Sequence, residues 1–443
     1  MTAAGQLAPH LFSTATMLLA ARLLGAAGGF GVQLLLARLL PAGALGLYFA
    51  GASLAMVAAV IAAGGYNSIA TRFVTRYRGR QPLLAAFVRQ AQRSNLAASL
   101  GMTAAIVAWA ALWPGLAPAA RWVFAAAAAS IPPLAWVRLH GSFATAIKSF
   151  KLAYLPDVCL KPVVVLAVLA VLALAGVALS ATLATIVLTL ATAALAAAQY
   201  RLLRPLFPAD LGGWRRRAAA TVRLPLAHAW RREARTLILV ALFTQYFADI
   251  AVLAATPLMA PAELGRFGLA LKLAFLIGFF VQLGQQIATP DIAASLRESR
   301  STRALDRRLR VAAWSATGLT LAATLAAALW GDDLLRFFGA DYTGGGTALV
   351  ILVAAQVLRA AFGPGTAVLT LLGRQMLNLR LAALALAVLA VTTAALAPTL
   401  GATGAAIAVF LATLAWCTTS ALMLSRKARI RVDAFRLATS HAA

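Results

Sequence analysis

Stretches of about 20 mostly apolar residues alternate with short polar segments from one end of this chain to the other. Each stretch can cross the ~30 Å hydrocarbon core of a bilayer as a helix. The pattern predicts twelve such helices, at roughly 14–39, 44–64, 94–113, 122–139, 155–175, 179–200, 236–256, 264–287, 311–330, 347–371, 378–397 and 402–424. The fourth is interrupted by Pro132 and Pro133. Residues 1–11 carry neither Lys nor Arg, so the basic start of a signal peptide is missing and the first stretch is expected to remain as a span. Backbone polar groups in lipid must be satisfied within their own segment. The expected fold class is therefore all-α: a polytopic membrane protein with two parallel six-helix bundles around a central cleft.

Composition excludes the alternatives. Of 443 residues, 62% are hydrophobic and 12% charged, against about 25% charged in soluble domains. That much apolar surface cannot be hidden in one or two aqueous cores. Two cysteines cannot staple a secreted domain, and so apolar a chain is not disordered.

The net charge of +27 would suggest nucleic acid in a soluble protein, but its distribution argues against that partner. With a cytoplasmic N-terminus, 32 of the 39 bases fall on the cytoplasmic side, in 65–93, 138–161, 201–235, 297–310, 374–380 and 426–436. The opposite side holds four: Arg38, Arg121, Arg266 and Arg336. This bias is the positive-inside pattern of an inner (cytoplasmic) membrane protein with both termini in the cytoplasm. Asp332, Asp333 and Asp341 share one outer loop, 331–346. The basic clusters themselves read as topology signals and contacts to anionic membrane lipids.

The longest polar stretch, 201–235, falls between the sixth and seventh spans. It divides the chain into an N-terminal bundle (1–203), a basic cytoplasmic linker (204–235) and a C-terminal bundle (236–443). The halves match at a nearly constant offset. Residues 44–48 lie over 263–267 at 219, 69–71 over 287–289 at 218, and Arg138 over Arg359 at 221. Six spans per half give both copies the same orientation, the arrangement of parallel repeats in transporters.

The order of local motifs resembles the polysaccharide-transporter branch of the multidrug/oligosaccharidyl-lipid/polysaccharide exporter superfamily. Arg22–Gly25, Leu36–Pro41 and Leu45–Tyr48 are similar to its opening pattern of RLLG, LLLARLLGP and FGLY, with Ala42 and Gly43 altering the spacing. Leu335–Tyr342 resembles its outer LxxLFGxxY loop, Leu371–Asn378 its LxGRxxxxN turn, and Pro398–Ala408 the PxxGxxGAAIA start of its last span. The resemblance implies a flippase that moves a polyprenyl-diphosphate-linked oligosaccharide from the inner to the outer leaflet for surface polysaccharide biosynthesis. It also implies a working association with a polysaccharide polymerase or glycosyltransferases.

Charges inside spans are costly unless they face protein or water. Arg22, Asp249, Lys272 and Arg359 occupy such positions. Polar neighbours at helical spacing extend them into stripes: Arg22, Gly29 and Gln33; Gln245 and Asp249; Lys272, Phe279 and Gln286; Gln356 and Arg359 with Gly363, Thr366 and Thr370. Arg22, Gln33, Gln245, Asp249, Lys272, Gln286, Gln356 and Arg359 are therefore the substrate-cleft candidates. Arg22 could instead snorkel to headgroups, and Asp249 either pairs with a base on another helix or serves as a protonatable coupling site. Three bases against one acid favour an anionic glycolipid over a lipophilic cation.

Gly25 and Gly29 have the GxxxG spacing of close helix contacts. Pro290 reads as a helix terminator and Pro364, between Gly363 and Gly365, as a kink. Cys159 and Cys417 read as packing residues. No catalytic residue, metal site or cofactor is expected, because no P-loop, nucleophile elbow or metal-ligand spacing occurs. Two other functions fit the spans: a cation-coupled multidrug exporter of the same superfamily, and a non-transporting membrane subunit of a glycan-assembly complex.

Overall fold

The structure, a computed structural model, describes residues 4–211, 224–298, 303–363 and 365–428. Within these, the side chains of 4–15, 224–225, 280, 283–313, 315, 366–367 and 427–428 lie outside the description. All regular elements among the described residues are helical, and the fold is all-α as expected. Nine helical stretches among the described residues are long and apolar enough to cross a membrane, and one of them, 375–426, is long enough to cross twice. The chain is a multi-pass membrane protein. It forms two compact units: residues 1–40 with 50–242, and residues 41–49 with 243–443.

Unit 1 contains α1 (Ala4–Leu39), most of α2 (Ala42–Ala62), α3 (Tyr66–Tyr77), α4 (Gln81–Leu112), α5 (Pro118–Ala129), α6 (Ile131–Ala146), α7 (Phe150–Tyr154), α8 (Lys161–Leu174) and α9 (Ala181–Leu203). The first turns of α10 (Leu224–Ala255) also belong to it. α1 packs on α8, α3 on α6, and α4 on both α5 and α6. The weak fourth span is α5 and α6, which break at Ser130. Pro132 and Pro133 sit in the first turn of α6, where a missing N–H costs nothing.

A π-helical turn, Leu155–Leu160, joins α7 to α8, and the Lys161 N–H donates to the Pro156 carbonyl five residues back. Pro162 has no N–H for the Val158 carbonyl, and that carbonyl lies against Gly25 of α1, where any Cβ would collide with it. The close contacts of α1 are made by Gly25, by Gly28, which touches Val163, and by Gly31, which touches Leu166, whereas Gly29 has open space beside it. The approach thus uses a shorter spacing than GxxxG.

The segment 65–93, expected as a polar loop, is α3 and the first turns of α4. Residues 224–235, expected as linker, are helical, and Trp230 and Ala234 are buried in a core with Phe73, Tyr77, Phe87 and Phe143. Residues 212–223 lie outside the described residues.

Unit 2 holds the rest of α10, α11 (Pro261–Glu298), α12 (Arg303–Arg336), α13 (Gly346–Ala361), α14 (Gly365–Leu371) and α15 (Gln375–Ala428). α13 is its central helix, packed on α11, α12 and α15. α15 contains both predicted last spans, separated at Gly401, whose φ of 54° breaks the helical path. The Glu263 carboxylate accepts the Ala402 N–H at 3.0 Å, capping the second arm from the start of α11. α12 kinks at Trp330, where the predicted span ends, and a further helical stretch enters the expected outer loop as far as Arg336; Asp332 accepts the N–H groups of Gly344 and Gly346, both at 3.0 Å, at the start of α13. Contrary to expectation, α11 does not stop at Pro290 but continues to Glu298. Pro364 lies outside the described residues.

The first turns of α2 belong to unit 2 and cross the start of α11. Gly46 lies against the Pro261 carbonyl, and Gly265 against the Ala42 carbonyl. Phe49 packs on Gly268. In each case the repeat relation holds between positions 219 apart, so the crossing is reciprocal, as a duplicated helix pair would make it.

Candidate functional site

In unit 2 the cleft candidates whose side chains are described lie on α10, α11 and α13. Lys272 Nζ on α11 donates to Asp249 Oδ1 on α10 at 3.1 Å, with side chains 30% and 15% exposed. One turn further along α11, Phe275 lies under Arg359 of α13, whose guanidinium carbon is 5.6 Å from the ring centroid. Arg359 also makes a long contact, 3.5 Å, to Gln356 Oε1. Gln356 is buried and fills the space left by the missing side chain of Gly278 on α11. Lys272, Phe275 and Gly278 recur every three residues, so one face of α11 meets both partners.

The structure thus brings together Asp249 with Lys272 and Gln356 with Arg359. Gln245 is exposed on α10, and the side chain of Gln286 lies outside the described ones. Lys272 and Arg359 both contact protein groups instead of being directed wholly into lipid. A double-mutant cycle over Lys272→Met and Asp249→Asn is expected to give a coupling of about 1–3 kcal/mol in thermal unfolding of the detergent-solubilised protein. Additive effects would show the pair to be idle.

In unit 1, Arg22 and Gln33 lie on α1, both half-buried, and Gln33 Oε1 is buried without a hydrogen-bond donor among the described residues. Sequence reasoning missed a second polar cluster in this unit. Asp157, on the π-helical turn, pairs with Lys161 and lies 3.9 Å from Arg138 Nε. Arg138 and Lys161 are 8% and 12% exposed, so neither is the surface loop base that the charge pattern suggested. Arg138 further donates to the Met56 carbonyl at 3.2 Å and contacts its sulfur. The signals were present: Asp157 and Lys161 are four apart, and Arg138 is the repeat partner of Arg359. Met56 and Phe275 are themselves 219 apart, so each unit sets an arginine from the corresponding span on the same position of its partner helix.

The pairing of bases with few acids inside apolar helices, in two units of repeated design, defines a polytopic membrane protein with polar, cationic interior sites. Among solved structures, the chain is similar to the lipid II flippase MurJ in an inward closed conformation. The identity is 11% and the TM-score 0.72, covering 94% of this chain and 87% of that one. It is equally similar to an inward-facing multidrug resistance MATE family transporter of the MOP superfamily, at 15% identity and TM-score 0.71, covering 94% and 96%. The MATE multidrug transporter DinF-BH gives 17% identity and TM-score 0.60, covering 94% and 95%. The fold is that of these transporters, as the sequence motifs implied. No protein-family model and no curated protein matches the chain.

Proposed function

We propose that the chain is a flippase. It carries a polyprenyl-diphosphate-linked oligosaccharide from the inner to the outer leaflet of the cytoplasmic membrane by alternating access, in surface polysaccharide biosynthesis. The observation that carries this reading is the sign of the charges inside the spans. Arg22, Arg138, Lys161, Lys272 and Arg359 stand against Asp157 and Asp249 among the described groups. A diphosphate is bound by guanidinium forks and ammonium groups, whereas a lipophilic cation needs carboxylates. The buried Gln356 and the half-buried Gln33 offer amide groups to sugar hydroxyls. A polymerase and glycosyltransferases would supply and consume such a substrate.

The likeness to both the flippase and the multidrug exporters makes the cation-coupled exporter the rival reading. Purified protein in liposomes is expected to translocate a polyprenyl-diphosphate-linked glycan. A deletion strain is expected to lose surface polysaccharide while keeping its drug susceptibility. Hypersensitivity to cationic drugs with normal polysaccharide would establish the rival. Absence of any flipping in liposomes would favour a non-transporting subunit.

A further inference from the structure

In unit 1, the first turns of α10 line an open cavity of about 540 Å³ with His228, Ala229, Arg231, Arg232 and Arg235. The basic residues at 228, 231, 232 and 235 follow helical spacing and share one face of α10. The opposite face fixes the helix in place. Trp230 is fully buried, edge-on to Phe73 and Phe87, and donates to the Tyr77 hydroxyl at 3.2 Å. Arg72 of α3 pairs with Glu233. At Gly65, with φ of 76°, the turn between α2 and α3 comes so close to α10 that a Cβ would collide with the Ala234 carbonyl. Packing residues therefore alternate with cavity residues along the same three turns, and the packed face fixes the helix that carries the cavity residues.

The charge of this wall is one-sided. Glu233 is engaged by Arg72, and no carboxylate lines the cavity among the described residues. The Nε of Arg231 is buried and donates to no acceptor among the described residues. The buried hydroxyl of Tyr66 lies beside Gln90, in the field of Arg231 and Arg235. A run of bases that only sets topology needs no buried guanidinium donor beside a cavity. The volume is that of a small-molecule site. Three guanidinium forks and an imidazole on one face match a doubly charged group with several acceptor oxygens.

We infer that this cavity on the first turns of α10 is a phosphoryl-binding site, separate from the polar clusters inside the spans. Its occupant is either the phosphate of an anionic phospholipid headgroup or a soluble phosphoric ester or anhydride. The inference stands without the flippase reading, because its test reads binding and not transport.

The test uses the full-length protein in nanodiscs of phosphatidylcholine, titrated calorimetrically with inorganic pyrophosphate at fixed ionic strength. Saturable binding is expected, weakened about tenfold or more by Arg231→Gln with Arg235→Gln. Arg76→Gln, which removes an exposed base of α3 outside the cavity, is expected to leave it unchanged. The double Arg231→Lys, Arg235→Lys variant keeps the charge and decides the matter if the glutamine variant does not fold. It too is expected to bind more weakly, since an ammonium cannot replace the planar fork. Phosphatidylglycerol in the nanodisc distinguishes the sources: competition with pyrophosphate identifies a lipid headgroup as occupant, and undiminished binding identifies a soluble ligand. No saturable binding by the wild type, unchanged binding in both double variants, or an equal loss in Arg76→Gln would overturn the assignment.

Discussion

Replacing Arg359 by alanine is expected to reduce export of the lipid-linked glycan by about tenfold to a hundredfold, with the protein still present in the membrane at its normal level. Arg359 lies on the central helix of unit 2, above the Phe275 ring and beside Gln356. Its planar fork can take two phosphate oxygens at once. A charge-assisted hydrogen bond is worth about 1.5–3 kcal/mol, and each 1.4 kcal/mol is about tenfold in binding. Arg359→Lys preserves the charge but not the fork, so export should fall between the two. Surface polysaccharide, measured against the amount of membrane-inserted protein, gives the readout. Wild-type export by Arg359→Ala would remove the guanidinium from the transport path.

The largest effect on stability is expected at Asp157. Its carboxylate stands between Arg138 and Lys161, both nearly buried in unit 1. Asp157→Asn keeps the shape but leaves two cations facing each other without the intervening anion. Breaking a buried charge network in this way costs about 3–5 kcal/mol. Thermal unfolding in detergent should show the loss directly, and the variant should reach the membrane in smaller amounts. Adding Arg138→Met removes one of the stranded cations and is expected to recover at least half of it. If Asp157→Asn unfolds as the wild type does, the cluster contributes nothing to the fold.

The spans were legible because lipid leaves the chain few choices. About 20 apolar residues and an internally bonded backbone suffice to predict a membrane helix, and each predicted span coincides with one or more helices. Charge was less informative, since a base at a span end reads the same whether it meets headgroups or a buried acid. By charge pattern alone Arg138 and Lys161 count as surface bases, and only tertiary contact shows that Asp157 joins them. The basic segment around 224–235 misled in the opposite way. Its arginines suggested a linker, while Ala227, Trp230 and Ala234 kept the spacing of a buried helical face. The sequence leaves Asp249 as either a pairing or a coupling group, and its contact with Lys272 is visible only in three dimensions.

The wide turn at Leu155–Leu160 has a consequence for the phase of its helix. A turn closed over five residues holds one residue more than the helix on either side needs, so it offsets the rotation of α7 against α8. Removing a single residue there would let ordinary helix run through, turning the preceding segment by about 100° about its axis. A deletion of one residue would act like a twist of the rod, whereas a conservative substitution at the same place would leave its bearing unchanged.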